Sequence, residues 1–217
     1  QPDRCRAKQL AERRKLGESN HLRVERGGLL LRMAQTADEI RACQRLRFHV
    51  FYEELGATSD ERAAATRMDA DRFDAICDHL VVIKRDGATH SEAISLEEGE
   101  LVGTYRLLRQ EIAAAHGGFY TQAEFDLGPV ISAHPQLRFL ELGRSCVLKP
   151  YRTKPVVELL WQGIWDYVRQ HDLHVMIGCA SFEGTNTHDY ATSLSFLSQN
   201  ASAPPEWQVR ALPHRYV

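Results

Sequence analysis

The chain has 217 residues, which is enough to bury a substantial core within one domain. Hydrophobic residues make up 43% and charged residues 26%, proportions that are ordinary for a soluble globular protein. A formal net charge of −2 argues against a nucleic-acid partner, because it provides no strong positive field. The five cysteines contain no C-x-x-C pair and indicate free thiols in a reducing compartment. No apolar run approaches the roughly 20 residues that cross a bilayer, so we expect a cytoplasmic protein.

Residues 1–26 are polar and basic, and we interpret them as a solvent-exposed leader before a folded domain at 27–217. Clustered Lys and Arg are attracted to anionic lipid, so this leader also suggests peripheral contact with the inner face of a membrane. The chain opens without Met and stops where an apolar segment begins after Pro205. We therefore expect that it is a fragment of a longer protein.

Hydrophobic patterning predicts strands and helices in alternation along the chain. A first helix is predicted to begin at Thr36, whose hydroxyl is a suitable N-cap, and to end at Gly56. Strands are predicted at Leu29–Ala34, His79–Lys84, Leu101–Leu108, Arg138–Leu148 and His174–Ala180, and further helices at Lys154–His171 and His188–Gln199. The connections are an acidic segment at 69–78, a polar hairpin loop at 87–99 and a short amphipathic insertion at 119–127. This order indicates an α/β fold with a mixed sheet flanked by helices.

The most informative stretch is 139–170, where a buried strand carries Glu141 and Arg144. In a regular strand these two side chains point to opposite faces, because the side-chain period is two. Both can line one pocket only if a β-bulge falls between them, and Gly143 is a plausible place for it. A basic turn follows at the start of a long amphipathic helix, where it suits binding of a phosphate; its cations are Lys149, Arg152 and Lys154. A phosphate site beside a buried acid is typical of an enzyme.

Arg106 lies inside an otherwise apolar strand. A buried guanidinium is costly unless it is paired, so we expect it to meet a carboxylate of the protein or of a substrate. Asp71 and Asp74 are the natural protein partners, and a purely structural network is an equally economical interpretation. The same acidic run lacks the glycine and the final carboxylate of a calcium loop, so no metal site is predicted.

Helical spacing also predicts Trp161 and Trp165 in the core.

Five segments resemble the amino-acid N-acyltransferases that begin ornithine-lipid synthesis, a branch of the GNAT superfamily related to acyl-homoserine lactone synthases. The segments are DADRFDAICDHLVV (69–82), LVGTYRLL (101–108), GGFYTQAEFDL (117–127), LELGRSCVLKPYRTKPVVELLWQGIWDYV (140–168) and MIGCASFEGTN (176–186). The resemblance implies a GNAT-like fold whose last strands lie beyond the end of this chain. It also implies transfer of a 3-hydroxyacyl group from acyl carrier protein to the α-amine of ornithine, with lyso-ornithine lipid as product.

The resemblance also suggests roles for particular residues. Glu141 would take or direct the proton of the acceptor amine, with Arg106 and Arg144 as cations on the acceptor side. Substrate-binding roles are implied for four residues that match the lactone synthases: Arg47, Phe51, Asp71 and Asp74. The three cations of the basic turn would bind the phosphopantetheine phosphate and the acidic carrier protein. No tightly bound cofactor is expected, and acyl-coenzyme A is an alternative donor.

Two other interpretations stay open at this point. One is a lactone synthase or another amino-acid N-acyltransferase, and dependence on S-adenosylmethionine would distinguish a lactone synthase. The other is a non-catalytic module that binds acyl carrier protein or a membrane.

Overall fold

A computed structural model of the protein describes residues 22–85, 94–182, 184 and 186–216. The strands among these residues are β1 (Arg23–Arg26), β2 (Leu29–Met33), β3 (Asp78–Lys84), β4 (Ile94–Leu96), β5 (Gly99–Arg109), β6 (Phe125–Asp126), β7 (Phe139–Val147), β8 (Val175–Ile177) and β9 (Arg210–Ala211). The helices are α1 (Ala37–Phe48), α2 (Glu61–Thr66), α3 (Gln110–Ala115), α4 (Gly128–Ala133), α5 (Lys154–Gln170) and α6 (Ala191–Asn200). A π-helical turn at His49–Glu54 extends α1, and 3-10 turns lie at Arg72–Ala75, Tyr120–Ala123, Lys149–Tyr151, Thr187–Tyr190 and Pro205–Trp207.

The main sheet is mixed, in the order β1-β2-β3-β5-β7-β8. β4 pairs with the first three residues of β5. Its pairs are antiparallel except for β7 and β8, which run parallel. β6 and β9 form a separate two-stranded sheet. The α/β prediction of a mixed sheet flanked by helices is therefore confirmed.

Helices α1 and α5 cover opposite faces of the sheet. Gly163 of α5 lies so close to Leu31 and Leu80 that a methyl group there would come within 2.6 Å of the Leu31 side chain. The next residue in β2, Arg32, points to the other face and binds Glu39 in the first turn of α1, with Nη2–Oε1 at 2.6 Å. Because neighbouring strand residues face opposite sides, these contacts place one helix on each face.

The predicted first helix is confirmed, since the hydroxyl of Thr36 accepts a hydrogen bond from Glu39 N–H and the turn after it ends near Gly56. The first strand, Arg23–Arg26, lies within the segment that we interpreted as a leader. It pairs with β2, so these four residues belong to the main sheet. Residues 1–21 lie outside the described part of the chain, as do residues 87–93 of the predicted hairpin loop. No helix among the described residues combines the length and the hydropathy needed to cross a bilayer.

The prediction that Trp161 and Trp165 belong to the core is wrong. Their side chains are 46% and 57% exposed, and Val157 on the same helical stripe is 44% exposed. Helix α5 is apolar over more of its circumference than the sheet can cover. The tryptophans are left on the outer side, because the buried residues of the helix are Val156, Leu159, Leu160, Gly163, Ile164, Tyr167 and Val168.

Candidate active site

Glu141, the third residue of β7, is 5% exposed and binds the 3-10 turn at Tyr120–Ala123. Its Oε2 accepts a hydrogen bond from Tyr120 N–H at 2.9 Å, and its Oε1 accepts one from Thr121 N–H at 2.7 Å. The carboxylate therefore satisfies two backbone donors at the start of a helical turn, which otherwise lack partners. An ionised carboxylate offers about four lone-pair sites, so each oxygen can still accept a further hydrogen bond.

A β-bulge does interrupt β7, slightly beyond the predicted place. The pairing with β5 is regular as far as Gly143 opposite Arg106 and resumes with Cys146 opposite Thr104, so β7 has one extra residue in between. Arg144 adopts the left-handed conformation there, with φ at +52°. The left-handed region is unfavourable for a residue with a Cβ atom, and a bulge redirects the side chains next to it. As a result, the side chains of Glu141 and Arg144 line the same cavity.

This cavity has a volume of about 90 Å³ and is lined by charged and polar groups from three segments of the chain. Strand β7 contributes Glu141 and Arg144, β5 contributes Arg106, and the 3-10 turn with its C-cap contributes Tyr120 and Glu124. Both guanidinium groups lie near the Tyr120 ring, with Cζ 5.9 Å (Arg106) and 5.2 Å (Arg144) from its centroid. The cavity thus combines two carboxylates, two guanidinium groups and an aromatic wall.

Strands β7 and β8 separate next to this cavity. Their parallel pairing covers only Phe139–Glu141 against Val175–Ile177, although β7 continues to Val147. Gly178 follows β8 directly, and a Cβ atom there would come within 2.5 Å of the Leu142 carbonyl oxygen. Beyond this contact the backbone of β7 is not paired to β8 on that side, which leaves polar groups available to a ligand.

Arg47 and Asp74 form the centre of a buried ion-pair network behind the cavity. Arg47 is 1% exposed; its Nε lies 2.8 Å from Asp69 Oδ2 and its Nη2 lies 2.9 Å from both Asp74 oxygens. Asp74 is fully buried and also accepts a hydrogen bond from Gln44 at 2.9 Å. Burial alone would raise the pKa of the Asp74 carboxyl, but the charges of Arg47, His79 and Arg106 outweigh it and hold that pKa far below its usual value.

The same network reaches the cavity through Arg106 and Arg144. Nη1 of Arg106 lies 2.7 Å from Asp71 Oδ1 and 3.2 Å from Asp74 Oδ1. Arg144 is farther from its partners, with Nε 3.2 Å from Asp69 Oδ2 and Nη2 3.5 Å from Asp71 Oδ2. The predicted pairing of Arg106 with Asp71 and Asp74 is therefore confirmed. Arg144 is the more accessible cation, because its side chain is 27% exposed and that of Arg106 only 5%.

The remaining predicted substrate-binding residues lie behind the cavity wall. Phe51 is on the π-helical turn and packs against the main core, and its neighbour Tyr52 donates a hydrogen bond to Asp69 Oδ1 at 3.2 Å. None of Arg47, Asp74 and Phe51 is among the residues that line the cavity. Asp74 pairs directly with Arg106, and Arg47 shares Asp69 with Arg144. Direct contact of these three with a substrate stays a prediction.

The basic turn lies at the start of α5, as predicted, and Arg152 and Lys154 already have partners. Arg152 forms a two-pronged ion pair with Glu54, with Nη2 2.8 Å from Oε2, and its Nε donates to the Val147 carbonyl at 3.0 Å. Lys154 has an 86% exposed side chain with Nζ 3.5 Å from Glu158. Lys149 opens the 3-10 turn just before the helix. An anion that binds here meets the helix N-terminus and a guanidinium that is shared with Glu54.

Three residues of the site were not predicted from the sequence: Asp69, Tyr120 and Glu124. Asp69 was visible as the first member of the acidic run and binds both Arg47 and Arg144. Tyr120 and Glu124 lie in the predicted insertion at 119–127, more than ten residues from β7 in sequence. No local pattern connects that insertion to Glu141, and only the fold brings them together.

Comparison with known proteins places this arrangement in a family. Residues 46–162 match the model of the acetyltransferase (GNAT) domain. A relative from Brucella abortus named L-ornithine N(alpha)-acyltransferase is 49% identical over 191 residues, which cover 88% of this chain and 66% of the relative. A relative of the same name from Rhodobacter capsulatus is 40% identical over 181 residues, which cover 83% of this chain and 67% of the relative. A solved structure of FeeM, an N-acyl amino acid synthase from uncultured soil microbes, is 13% identical with a TM-score of 0.48 and covers 78% of this chain and 77% of its own.

The chain therefore belongs to the GNAT family of acyltransferases. Within that family, the relatives that it matches at 40–49% identity are L-ornithine N(alpha)-acyltransferases. The chain spans 66% of the length of the Brucella relative and 63% of the length of a third relative of that name, from Agrobacterium fabrum.

Proposed function

We propose that this protein transfers a 3-hydroxyacyl group from acyl carrier protein to the α-amine of ornithine and so forms lyso-ornithine lipid. The observation that carries the proposal is the buried carboxylate of Glu141 beside the guanidinium of Arg144, next to the point where β7 and β8 separate. The names of the relatives support ornithine as acceptor. The donor and the product are those that the family resemblance of the sequence implies, and the site offers groups suited to that reaction.

On the acceptor side, the α-ammonium of ornithine must lose a proton before its nitrogen can attack. The two backbone N–H bonds fix both oxygens of Glu141 and leave lone pairs directed elsewhere. Glu141 takes the proton directly or through a water molecule, and Arg144 binds the carboxylate of the amino acid. Arg106, anchored by Asp71, lies beside the Tyr120 ring, and Asp69 and Asp71 keep Arg144 in place.

The amine nitrogen then attacks the carbonyl carbon of the thioester, and its electron pair forms the new C–N bond while the carbonyl oxygen becomes an oxyanion. The extra residue of the bulge leaves the ladder, so backbone N–H groups near Arg144 are available to stabilise that oxyanion. When the oxyanion collapses, the C–S bond breaks and the thiolate of the phosphopantetheine arm leaves. The thiolate takes up a proton, and the second ammonium proton is lost as the amide forms.

On the donor side, the thioester arm enters through the gap between β7 and β8. Its phosphate binds at the start of α5, where Arg152 and Lys154 lie close to the helix N-terminus. Lys149 and Lys154 also steer the acidic carrier protein towards this end of the sheet. Acyl-coenzyme A carries the same phosphopantetheine group and is the alternative donor. The reaction takes place in the cytoplasm, and its apolar product passes to the inner face of the membrane.

Expression in a bacterial host that lacks aminolipids tests this proposal. Mass spectrometry of the lipid extract should detect a new lipid in which a 3-hydroxyacyl chain is joined by an amide bond to ornithine. A host that expresses the Glu141→Gln variant at the same level serves as the control. An amide-linked lipid that contains another amino acid would show that this amino acid, and not ornithine, is the acceptor. A lipid extract identical to that of the control would overturn the proposal.

A further inference from the structure

Glu124 is the charged group at the cavity that the reaction described above does not use. It is the C-cap residue of the 3-10 turn at Tyr120–Ala123, and its side chain is partly exposed and lines the cavity together with Glu141 and Arg144. Among the described residues, its carboxylate has no hydrogen-bond or ion-pair partner. The other charged groups at the cavity do have partners: Arg106 and Arg144 bind aspartates, and Glu141 binds two backbone N–H groups.

The backbone around Glu124 is fixed on both sides, so the point from which its side chain reaches the cavity is set before any ligand binds. On the N-terminal side, Glu141 holds the N–H groups of Tyr120 and Thr121. On the C-terminal side, Leu212 N–H donates to the Glu124 carbonyl at 2.8 Å, and β6 continues from there into its pairing with β9. A carboxylate on a fixed backbone binds a cationic group at a lower ordering cost than one on a mobile loop, because only its side chain must be ordered.

Cys179 lines the same cavity as the two carboxylates. Its thiol lies 3.6 Å from the hydroxyl of Thr121 and lines the cavity. Burial raises the pKa of this thiol, and the negative charges of Glu124 and Glu141 raise it further. A ligand between the two acids is therefore exposed to two negative charges, and Arg144 supplies a positive one.

We propose that Glu124 binds the side-chain ammonium of the acceptor and so selects an amino acid with a cationic side chain. This inference rests on the proposed function. An amino acid such as ornithine has an α-ammonium, a carboxylate and a side-chain ammonium. Glu141, Arg144 and Glu124 match these three groups in sign. The ion pair with Glu124 also keeps the side-chain amine protonated, and hence non-nucleophilic, while Glu141 deprotonates the α-amine.

The test compares L-ornithine with L-norvaline, which has the same carbon chain and lacks the side-chain amine. The wild-type protein should use ornithine with a kcat/KM at least roughly 10-fold higher, as expected for a charge-assisted hydrogen bond. Glu124→Gln should raise the KM for ornithine by about the same factor and leave the KM for norvaline within about twofold. Glu124→Asp, which keeps the charge, should retain part of the preference. Glu61→Gln, which removes an exposed carboxylate from α2, is the matched control and should behave as the wild type.

Binding without turnover separates this inference from the proposed function. Ornithine alone should raise the midpoint of thermal unfolding of the wild-type protein and of Glu61→Gln, and norvaline should do so much less. Glu124→Gln should abolish the difference between the two amino acids. If ornithine binds in this way but no acyl transfer is detected, the proposed reaction fails and the role of Glu124 stands. If Glu124→Gln keeps the wild-type preference in both assays, the role of Glu124 is overturned.

Discussion

Arg152 and Glu54 form an ion pair that joins the start of α5 to the end of the π-helical turn, with Nη2 2.8 Å from Oε2. The guanidinium that we assign to the donor phosphate is therefore partly neutralised before the donor arrives. Binding of the phosphate requires Arg152 to be shared with Glu54 or released from it. The side chain of Arg152 is 38% exposed, which makes it accessible to a ligand from solvent.

A first prediction concerns this pair. Arg152→Ala should raise the KM for the acyl carrier protein donor by roughly 3- to 10-fold with little change in kcat, because it removes a phosphate contact made in the ground state. Glu54→Gln should lower that KM, since it removes the competing carboxylate. Steady-state kinetics with a varied donor concentration would measure both effects. Equal donor KM values in the wild type and in both variants would show that the phosphate binds elsewhere.

A second prediction separates the two roles of Glu141. Glu141→Gln should lower kcat by about 10²- to 10⁴-fold, as expected for the loss of a general base. Glutamine can accept only one of the two backbone N–H bonds, so we also expect a loss of about 1–3 kcal/mol in the free energy of unfolding.

Gln122→Ala is the matched control, because it removes the hydrogen bond from Phe119 N–H at 2.7 Å and loosens the same turn without touching the carboxylate. It should lower stability and leave kcat within a few-fold of the wild type. A loss of turnover as large as that of Glu141→Gln would show that Glu141 acts only as an anchor for the turn.

The third prediction concerns the stability of the buried network. Asp74→Asn should reduce the free energy of unfolding by about 3–5 kcal/mol, because it leaves the buried guanidinium groups of Arg47 and Arg106 without full compensation. Asp38→Asn removes an exposed partner of Arg41 and should cost about 0.5 kcal/mol or less. Urea unfolding of the two variants would measure the difference. Similar losses in both would show that the Asp74 network is not a major source of stability.

The fourth prediction concerns pH. Complete burial lowers the pKa of His79 from 6.5 to about 4, although the nearby Asp74 charge opposes this shift. Between these two values the unfolded chain binds a proton at His79 that the folded chain does not, so the free energy of unfolding rises with pH in this window. The contribution of His79 is present in full above pH 6.5, is lost as the pH falls towards 4, and amounts to about 3 kcal/mol.

Replacement of His79 by Gln should flatten the pH profile of unfolding between pH 6.5 and pH 4, relative to the wild type. Denaturant titrations at several pH values would measure the two slopes, and His116→Gln, at an exposed site, should keep the wild-type slope. An unchanged slope in His79→Gln would contradict the prediction.

The fifth prediction concerns the outer face of α5. Trp161→Ser should change the free energy of unfolding by about 0.5 kcal/mol or less, because that side chain is 46% exposed. Leu160→Ala, at the position next to Trp161, should lower the free energy of unfolding by about 2–5 kcal/mol, because the Leu160 side chain is buried. Chemical denaturation would measure both, and comparable losses would show that the tryptophan is part of the core.

Much of this molecule follows from local patterns in the sequence. The N-cap at Thr36 and the pairing of Arg106 with Asp71 and Asp74 were predictable, because helix ends and buried charges have obligatory partners. The need for a bulge also followed from the spacing of Glu141 and Arg144. Its location one residue beyond the predicted interval depends on the register between β5 and β7, which the sequence of one strand does not determine.

Two features could not be predicted, and both depend on how distant segments meet. The outward position of Trp161 depends on how much of the helix surface the sheet covers, because α5 is apolar on more than one side. The hydrogen bonds of Glu141 join residues 20 and 21 positions apart, and no repeating pattern spans that separation. Glu124, whose carboxylate has no partner among the described residues, belongs to the same case, since the place of its backbone follows from that contact.

The left-handed backbone at Arg144 creates a conflict at one position between thermal stability and the proposed binding of the acceptor. Glycine or asparagine would adopt that conformation at a lower free-energy cost and would stabilise the strand. Neither could supply the guanidinium that faces Asp69 and the cavity. A laboratory selection for heat resistance alone should therefore replace Arg144 early. It should yield proteins that are more stable to heat and bind the acceptor more weakly.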